Sequence, residues 1–314
     1  MFNETLKSKY LSTLPEAMRE RVLYIFKKTQ GYEESWQLDI CQQNDVQKLE
    51  ECLSILFGGK PKTIEMTNAM IGGYIRWCHN NNVPHSMADM PDIIISPKYR
   101  IKNTMVANPL HLKNYIDILY PPEKQNGSDN IYRGYLWLAY IGVEENDIFN
   151  ITNSDVDFDT MRIYLGDKAF AIYNESLLTF KNLVSLDEFE QHSGIKSGFV
   201  RKRVSGNQIM RGARGLGSVA TVRNMVSKRI NEIKNSEITN LCVSYSTLHL
   251  SGLFYRTNEM ERAGIEPVFA EEVDRIMSGK TYSPTSRRTL AYRHNMIEKD
   301  LMTEYVEWKK VFIV

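Results

Sequence analysis

Apolar positions in the first hundred residues recur at helical spacing. Pro15-Glu16-Ala17-Met18 places proline in a first helical turn, and Val22, Leu23, Ile25 and Phe26 follow at the spacing of one helix face. Asn44 or Asp45 can cap a second helix whose inner face carries Val46, Leu49, Leu53 and Leu56. Gly58-Gly59-Lys60-Pro61 interrupts the chain, and Thr63 begins a third helix with Ile64, Ile71, Ile75 and Cys78 on one stripe and Trp77 beside it. From Val83 to Asn103 the periodicity fades and Pro84, Pro91 and Pro97 intervene, which predicts an interdomain linker. The implied division is a helical domain over 1–103, with 83–103 as linker, and a second domain over 104–314.

In the second domain, Asn108 can cap a helix from Leu110 to Leu119, and Tyr132 to Ile141 is an apolar helix ended by Gly142. Alternation over Met161–Leu165 and Ala169–Tyr173, around Gly166-Asp167-Lys168, predicts a β-hairpin. Helical patterns resume after Asn174. The fold class expected is mainly α with a small antiparallel β-sheet, in two domains. The final segment, Tyr305 to Val314, carries Trp308, Val311, Phe312 and Ile313 and fits either this domain's own core or a neighbouring subunit.

The helix expected from Val219 to Lys234 changes the picture most. At about 100° per residue, Val222, Met225, Val226, Ile230 and Ile233 fall on one side, with Asn224, Ser227, Lys228 and Asn231 on the other and Arg223 at their flank. Arginine and asparagine can form paired hydrogen bonds to guanine and adenine, and lysine and serine suit phosphates.

Net charge is only +1, so the global balance carries no signature of a nucleic-acid partner. Its distribution does: residues 144–190 hold eleven acids against three bases, whereas residues 196–234 hold ten bases against one acid, Glu232. The basic stretch, with Arg201, Lys202, Arg203, Arg211, Arg214, Arg223 and Lys228, can lie along phosphates and gain affinity by releasing counterions. A solvated surface loop would show the same composition.

Cys41, Cys52, Cys78 and Cys242 have no paired C-x-x-C spacing, so no disulfide framework, structural zinc or other metal site is expected, and no cofactor. Met1-Phe2-Asn3-Glu4-Thr5 lacks signal-peptide character and no apolar run is long enough for a bilayer. The expected location is the cytoplasm, at the nucleoid, without membrane contact.

Several segments, in order along nearly the whole chain, resemble the tyrosine recombinase (phage integrase) family. Lys62-Thr63-Ile64-Glu65-Met66-Thr67-Asn68 through Tyr74-Ile75-Arg76-Trp77-Cys78 is similar to the last helix of that family's core-binding domain, where Lys62, Thr63 and Thr67 are then implied DNA contacts. Asn108-Pro109-Leu110-His111-Leu112 resembles the start of its catalytic domain. The stretch Tyr135 to Val143, with Ile148-Phe149-Asn150-Ile151 and Asp155 to Asp159 behind it, resembles the region of its first catalytic arginine. Leu248-His249-Leu250-Ser251-Gly252-Leu253-Phe254, with Ala263-Gly264, resembles its His-x-x-Arg box.

Within that resemblance the chemistry is depleted. Recombinases attack a DNA phosphate with tyrosine and clamp its oxygens with two arginines, whose planar forks hold phosphate by paired hydrogen bonds. Here Glu144 stands at the first arginine position, and Leu248 and Ser251 stand at the histidine and second arginine. Shifting the register by one restores His249 but puts Gly252 at the arginine, and Arg256 lies seven residues beyond His249. Lys168 and Tyr292 occupy the places of the family's lysine and nucleophile as remnants, and Arg287 and Arg288 are further phosphate contacts or solvated residues.

The resemblance thus implies an inactive homologue, not an enzyme: an operator-binding lysogeny repressor like those of SPβ-type Bacillus prophages. Its implied partners are double-stranded operator DNA, a second copy in a homodimer, and an antagonist protein that relieves repression. A divergent active integrase using Tyr292, with arginines drawn from Arg256, Arg287 or Arg288, is the alternative, and an accessory subunit of a recombinase assembly is a third.

Overall fold

The fold was described from a computed structural model covering residues 1–59, 61–88, 94–122, 129–166, 168–190, 198–212, 218–264, 291–294 and 296–313, with backbone alone at Pro61 and Lys62. The chain forms two units, Met1–Ile101 and Lys102–Val314. It is mostly helical, with two small antiparallel sheets among the described residues.

The first unit contains α1 (Glu4–Thr13), α2 (Glu16–Trp36), α3 (Val46–Phe57) and α4 (Pro61–Asn80). Asp45, rather than Asn44, caps α3 by accepting from the Lys48 amide. Leu49 and Leu53 are buried as expected, but Val46 in the first turn is exposed. The stripe on α4 is buried at Ile71, Tyr74, Ile75 and Cys78. Tyr74 packs edge-on against Phe26 of α2 with centroids 4.8 Å apart.

Helix α1 has no counterpart in the hydrophobic pattern, because its inner face is built on a charge. Lys7 is fully buried, with its ammonium 2.5 Å from both carboxylate oxygens of Glu33 and 3.8 Å from Asp39, both also fully buried. Thr29 and the Ile40 amide donate to Glu33, and the Tyr74 hydroxyl and Cys41 amide donate to Asp39. A buried ion cluster of this kind is tolerable only when its lone pairs are filled, as these are.

The segment from Val83, expected as a linker, belongs largely to the first unit. The Met87 amide donates to the Cys41 carbonyl and the Ser96 amide to the Ser54 hydroxyl, and Met87 and Ile95 are buried. Helix α5 (Lys98–Thr104) follows. Among the described residues of this stretch, those contacts tie its two ends to the first unit.

In the second unit, α6 (Pro109–Leu119) is capped by Asn108, whose side chain accepts from the His111 amide at 2.8 Å. Helix α7 (Asn130–Ile141) is buried all round from Arg133 to Ile141, as a central helix must be. It ends at Gly142, whose φ of 101° is the left-handed cap that favours glycine. Strands β1 (Val156–Asp157), β2 (Arg162–Leu165) and β3 (Lys168–Ala171) form an antiparallel meander with Ile163 opposite Val156 and Phe170. The expected hairpin is thus present, with Lys168 opening β3, and Asp167 of its turn lies outside the described residues.

Beyond α8 (Leu177–Ser185), a second antiparallel pair, β4 (Glu188–Glu190) and β5 (Val200–Lys202), occupies a region expected to be helical. Among the described residues, helices α9 (Val219–Asn235), α10 (Tyr245–Arg262) and α11 (Glu298–Phe312) follow. Tyr305 and Trp308 of α11 are buried against Phe254, and the Trp308 indole donates to the Val106 carbonyl at 3.2 Å. The C-terminal helix therefore packs on its own unit. Among the described residues no helix is long and apolar enough to cross a membrane.

Candidate nucleic-acid interface

Helix α10 presents Tyr245, His249, Gly252 and Arg256 at i, i+4, i+7 and i+11, one face of a helix. That face meets the C-terminal end of α7, where unsatisfied carbonyls and the negative end of the helix dipole collect. The Tyr245 hydroxyl donates to the Val143 carbonyl at 2.8 Å, His249 Nε2 donates to the Gly142 carbonyl at 3.1 Å, and Arg256 Nη1 donates to the Tyr140 carbonyl at 2.8 Å. Gly252 allows the approach, since a Cβ there would lie 1.7 Å from the Tyr140 oxygen.

His249 is buried and its second nitrogen is also engaged, 3.2 Å from Nε2 of His294. Because a carbonyl can only accept, His249 Nε2 carries the proton, Nδ1 is the acceptor, and His294 Nε2 is the donor. His294 Nδ1 in turn lies 3.4 Å from the Ser246 hydroxyl. Burial first, then the charges of Arg256, Arg293 and Lys168, push the His249 imidazole down to about 3, against the lesser pull of the Gly142 carbonyl.

Of the positions that the recombinase resemblance assigns to catalysis, Glu144, Leu248 and Ser251 make contacts within the fold. Glu144 pairs with Arg293 at 3.1 Å. Leu248 is core, and Ser251 is fully buried, donating to the Thr247 carbonyl at 2.6 Å and accepting from the Val106 amide. Lys168 is half-buried at the start of β3, and Tyr292 is 80% exposed. Arg287 and Arg288 lie outside the described residues.

The expected reading face lies on α9. Ser218 caps the helix, accepting from the Thr221 amide, and Val222, Val226, Ile230 and Ile233 are buried. Met225, placed with them by periodicity, is 44% exposed and sits on the solvent side. Asn224, Ser227, Lys228 and Asn231 are exposed together. Arg223 is held by Glu145, with Nε 2.8 Å from Oε1 and Nη2 2.5 Å from Oε2. The Tyr135 hydroxyl donates to the same Oε1 at 2.5 Å. Burial would raise the Glu145 carboxyl, but its bonds to Arg223 and Tyr135 outweigh that and hold it below the usual range.

The rest of the basic stretch is not a continuous phosphate track. Arg203 is buried and donates to the Leu183 carbonyl at 2.7 Å, and Arg211 is buried and bonds the Gly206 carbonyl and, at 2.8 Å, Asp187. Both are corrected from DNA contacts to braces of the β4–β5 region, because α8's end and the loop carbonyls there need donors. Lys202 is exposed, 3.8 Å from Glu188 across the sheet, and Arg201 is half-buried on β5. Arg214 lies outside the described residues, as does the side chain of Lys62. On α4, Thr63 is exposed, whereas Thr67 is buried and lines an apolar cavity with Tyr24 and Phe57, so it does not face solvent as a DNA contact would.

The acidic and basic blocks thus meet in the fold, at Glu145–Arg223, Asp187–Arg211 and Glu188–Lys202. Sequence reasoning missed these pairs, the His249–His294 couple and the α10 caps. No local signal marks partners that lie up to 116 residues apart, as Arg256 and Tyr140 do. Among the described residues no group of His, Cys, Asp or Glu is placed to hold a metal.

Residues 1–80 match the family model described as the N-terminal core-binding domain of MrpR, which ends where α4 ends. No curated protein matches the sequence. Among solved structures, the chain is similar to the Tn1549 transposon integrase in complex with circular intermediate DNA, at 13% identity over 90% of this chain and 92% of that one, with a TM-score of 0.39. It is also similar to XerA recombinase, at 12% identity over 93% and 98%, with a TM-score of 0.37.

Proposed function

We propose that this protein is a sequence-specific DNA-binding repressor that maintains prophage lysogeny on a recombinase-type scaffold and does not cleave DNA. The observation that carries the reading is the face of α10. Where a recombinase would aim a histidine and an arginine at phosphate, Tyr245, His249 and Arg256 are spent on the carbonyl end of α7. With Glu144 beside them, a phosphate would meet a carboxylate in place of a clamp. Losing two guanidinium contacts forfeits several kcal/mol of transition-state stabilisation, roughly ten-fold in rate per 1.4 kcal/mol. The match of residues 1–80 to a core-binding domain and the polar outer face of α9 supply two surfaces for binding without chemistry.

One observation favours the second reading, an active recombinase. Tyr292 is 80% exposed beside Arg293 and His294, a position open to attack on a phosphate. The test is a gel-shift titration against genomic fragments flanking the protein's own coding sequence, at two salt concentrations, with every complex also denatured. Salt-sensitive, sequence-specific complexes that dissolve fully on denaturation are expected, unchanged by Tyr292→Phe. A covalent adduct that Tyr292→Phe abolishes would establish the recombinase instead, and weak binding to all fragments would favour an accessory subunit.

A further inference from the structure

The Arg223–Glu145 pair has a geometry that simple charge neutralisation does not require. A guanidinium has two edges that each offer two parallel N–H groups: the Nε/Nη2 edge and the Nη1/Nη2 edge. Glu145 takes the first edge with both oxygens. The Tyr135 hydroxyl, from the buried helix α7, fixes that carboxylate in turn. Among the described residues no hydrogen bond occupies Nη1, and the Arg223 side chain is 53% exposed, while Glu145 is only 21% exposed. Arg223 stands in the N-terminal half of α9 next to Asn224, with Ser227 and Lys228 one turn on.

We propose that Tyr135 and Glu145 hold Arg223 as a preoriented reader of a guanine base, its open Nη1/Nη2 edge meeting O6 and N7 in the major groove. The inference rests on the DNA-binding reading above and names the residue that sets base preference. Guanine is favoured over phosphate by the electrostatics of the pair. Arg223 and Glu145 together are neutral, so they exert little long-range pull on the phosphate backbone, and the carboxylate repels an anion placed nearby. Guanine is uncharged and offers two acceptors at the spacing of the open edge. Fixing the long side chain in advance removes the ordering cost that a free arginine would meet on binding. Lys228, exposed and without an ion pair among the described residues, is the phosphate contact of the same face.

The test is selection from a randomised duplex library at two salt concentrations, with the full chain as wild type, Arg223→Ala, Glu145→Gln and Lys228→Ala, each checked for folding by thermal melting. Wild type is expected to enrich one guanine position by about 5- to 150-fold over other bases, the discrimination of one paired base contact. Arg223→Ala should erase that preference alone. Glu145→Gln should weaken it while making binding more salt-dependent, because a charge is unmasked, and a merely structural role of Glu145 would not produce that combination. Lys228→Ala should leave the preference and lower the salt slope by about one. Should Glu145→Gln fail to fold, Tyr135→Phe removes one bond to Glu145 and should also soften the preference. A guanine preference that survives Arg223→Ala, or one that Glu145→Gln strengthens, overturns the proposal while leaving DNA binding intact. Failure of wild type to enrich any sequence would instead overturn the DNA-binding reading beneath it.

Discussion

Replacing Lys7 by Met tests how the N-terminal unit is held together. Methionine keeps the unbranched stem but removes the ammonium that lies 2.5 Å from both oxygens of Glu33 and 3.8 Å from Asp39. It also removes the cation 4.9 Å above the Phe26 ring. Glu33 would keep the Thr29 hydroxyl and the Ile40 amide, and Asp39 the Tyr74 hydroxyl and the Cys41 and Gln42 amides, all neutral donors. Removing one partner from a buried ion pair costs about 3–5 kcal/mol, because the other charge stays desolvated. Against a domain stability of about 5–15 kcal/mol, that is enough to populate open forms of this unit. Hydrogen exchange followed by mass spectrometry on the full chain would show faster exchange in peptides from α1, α2 and α4, while α7 peptides stay unchanged.

The same variant should show a pH signature of definite sign. Burial already raises the Glu33 carboxyl despite the opposing pull of Lys7. Without the ammonium it rises further, so the folded state holds a proton that the unfolded state has released. Stability then falls as pH rises, and the defect of Lys7→Met shrinks at pH 5 relative to pH 8. Lys7→Met combined with Glu33→Met should recover most of the loss. A cost below about 1 kcal/mol, or one equal at both pH values, would refute the account of Lys7 as the partner that makes two buried carboxylates tolerable.

Three further outcomes follow from the α7–α10 contact. Gly252→Ala should sharply lower the melting temperature, by more than the about 1–3 kcal/mol typical of overpacking, since the new Cβ meets the Tyr140 carbonyl oxygen at 1.7 Å, a backbone atom that cannot turn away. The His249 imidazole is pushed down to about 3 from 6.5, so the unfolded chain takes up a proton below pH 6.5 that the folded one refuses. Its contribution is complete above that pH and lost as pH falls, about 2 kcal/mol between pH 7.5 and 5. Urea titrations across that range should show this slope added to the smaller one of His111, which burial also lowers, and His249→Asn should remove the His249 share. Arg256→Ala should cost about 1.5–3 kcal/mol by orphaning the Tyr140 carbonyl, yet the folded variant should retain DNA in a gel shift, whereas loss of DNA binding without loss of stability would return Arg256 to the phosphate.

Much of the fold was legible because its signals are local. The Asp45 and Asn108 caps, the glycine end of α7, the β2–β3 alternation and the apolar stripe of α9 each depend on residues within a few positions of one another. Helix α1 was not legible, because a lysine sits where the pattern demands an apolar residue and its partner lies 26 residues away. Strands β4 and β5 were missed for a related reason. They are three residues each, too short for alternation to show, and are braced by Arg203 and Arg211 from the loop beyond.

The candidate site divides in the same way. The resemblance that sets Glu144, Leu248 and Ser251 at the positions of a recombinase's clamping groups is read from the sequence in its order. So is the concentration of basic residues between 196 and 234. Which of those bases remain exposed is not. Burial took Arg203 and Arg211, Glu145 took one edge of Arg223, and Lys228 was left open. Periodicity assigns a side chain to a face of its own helix, but its hydrogen-bond partner and exposure depend on what packs opposite. The partner of Arg223 lies 78 residues away and that of Arg256 116, a distance that only the tertiary structure closes.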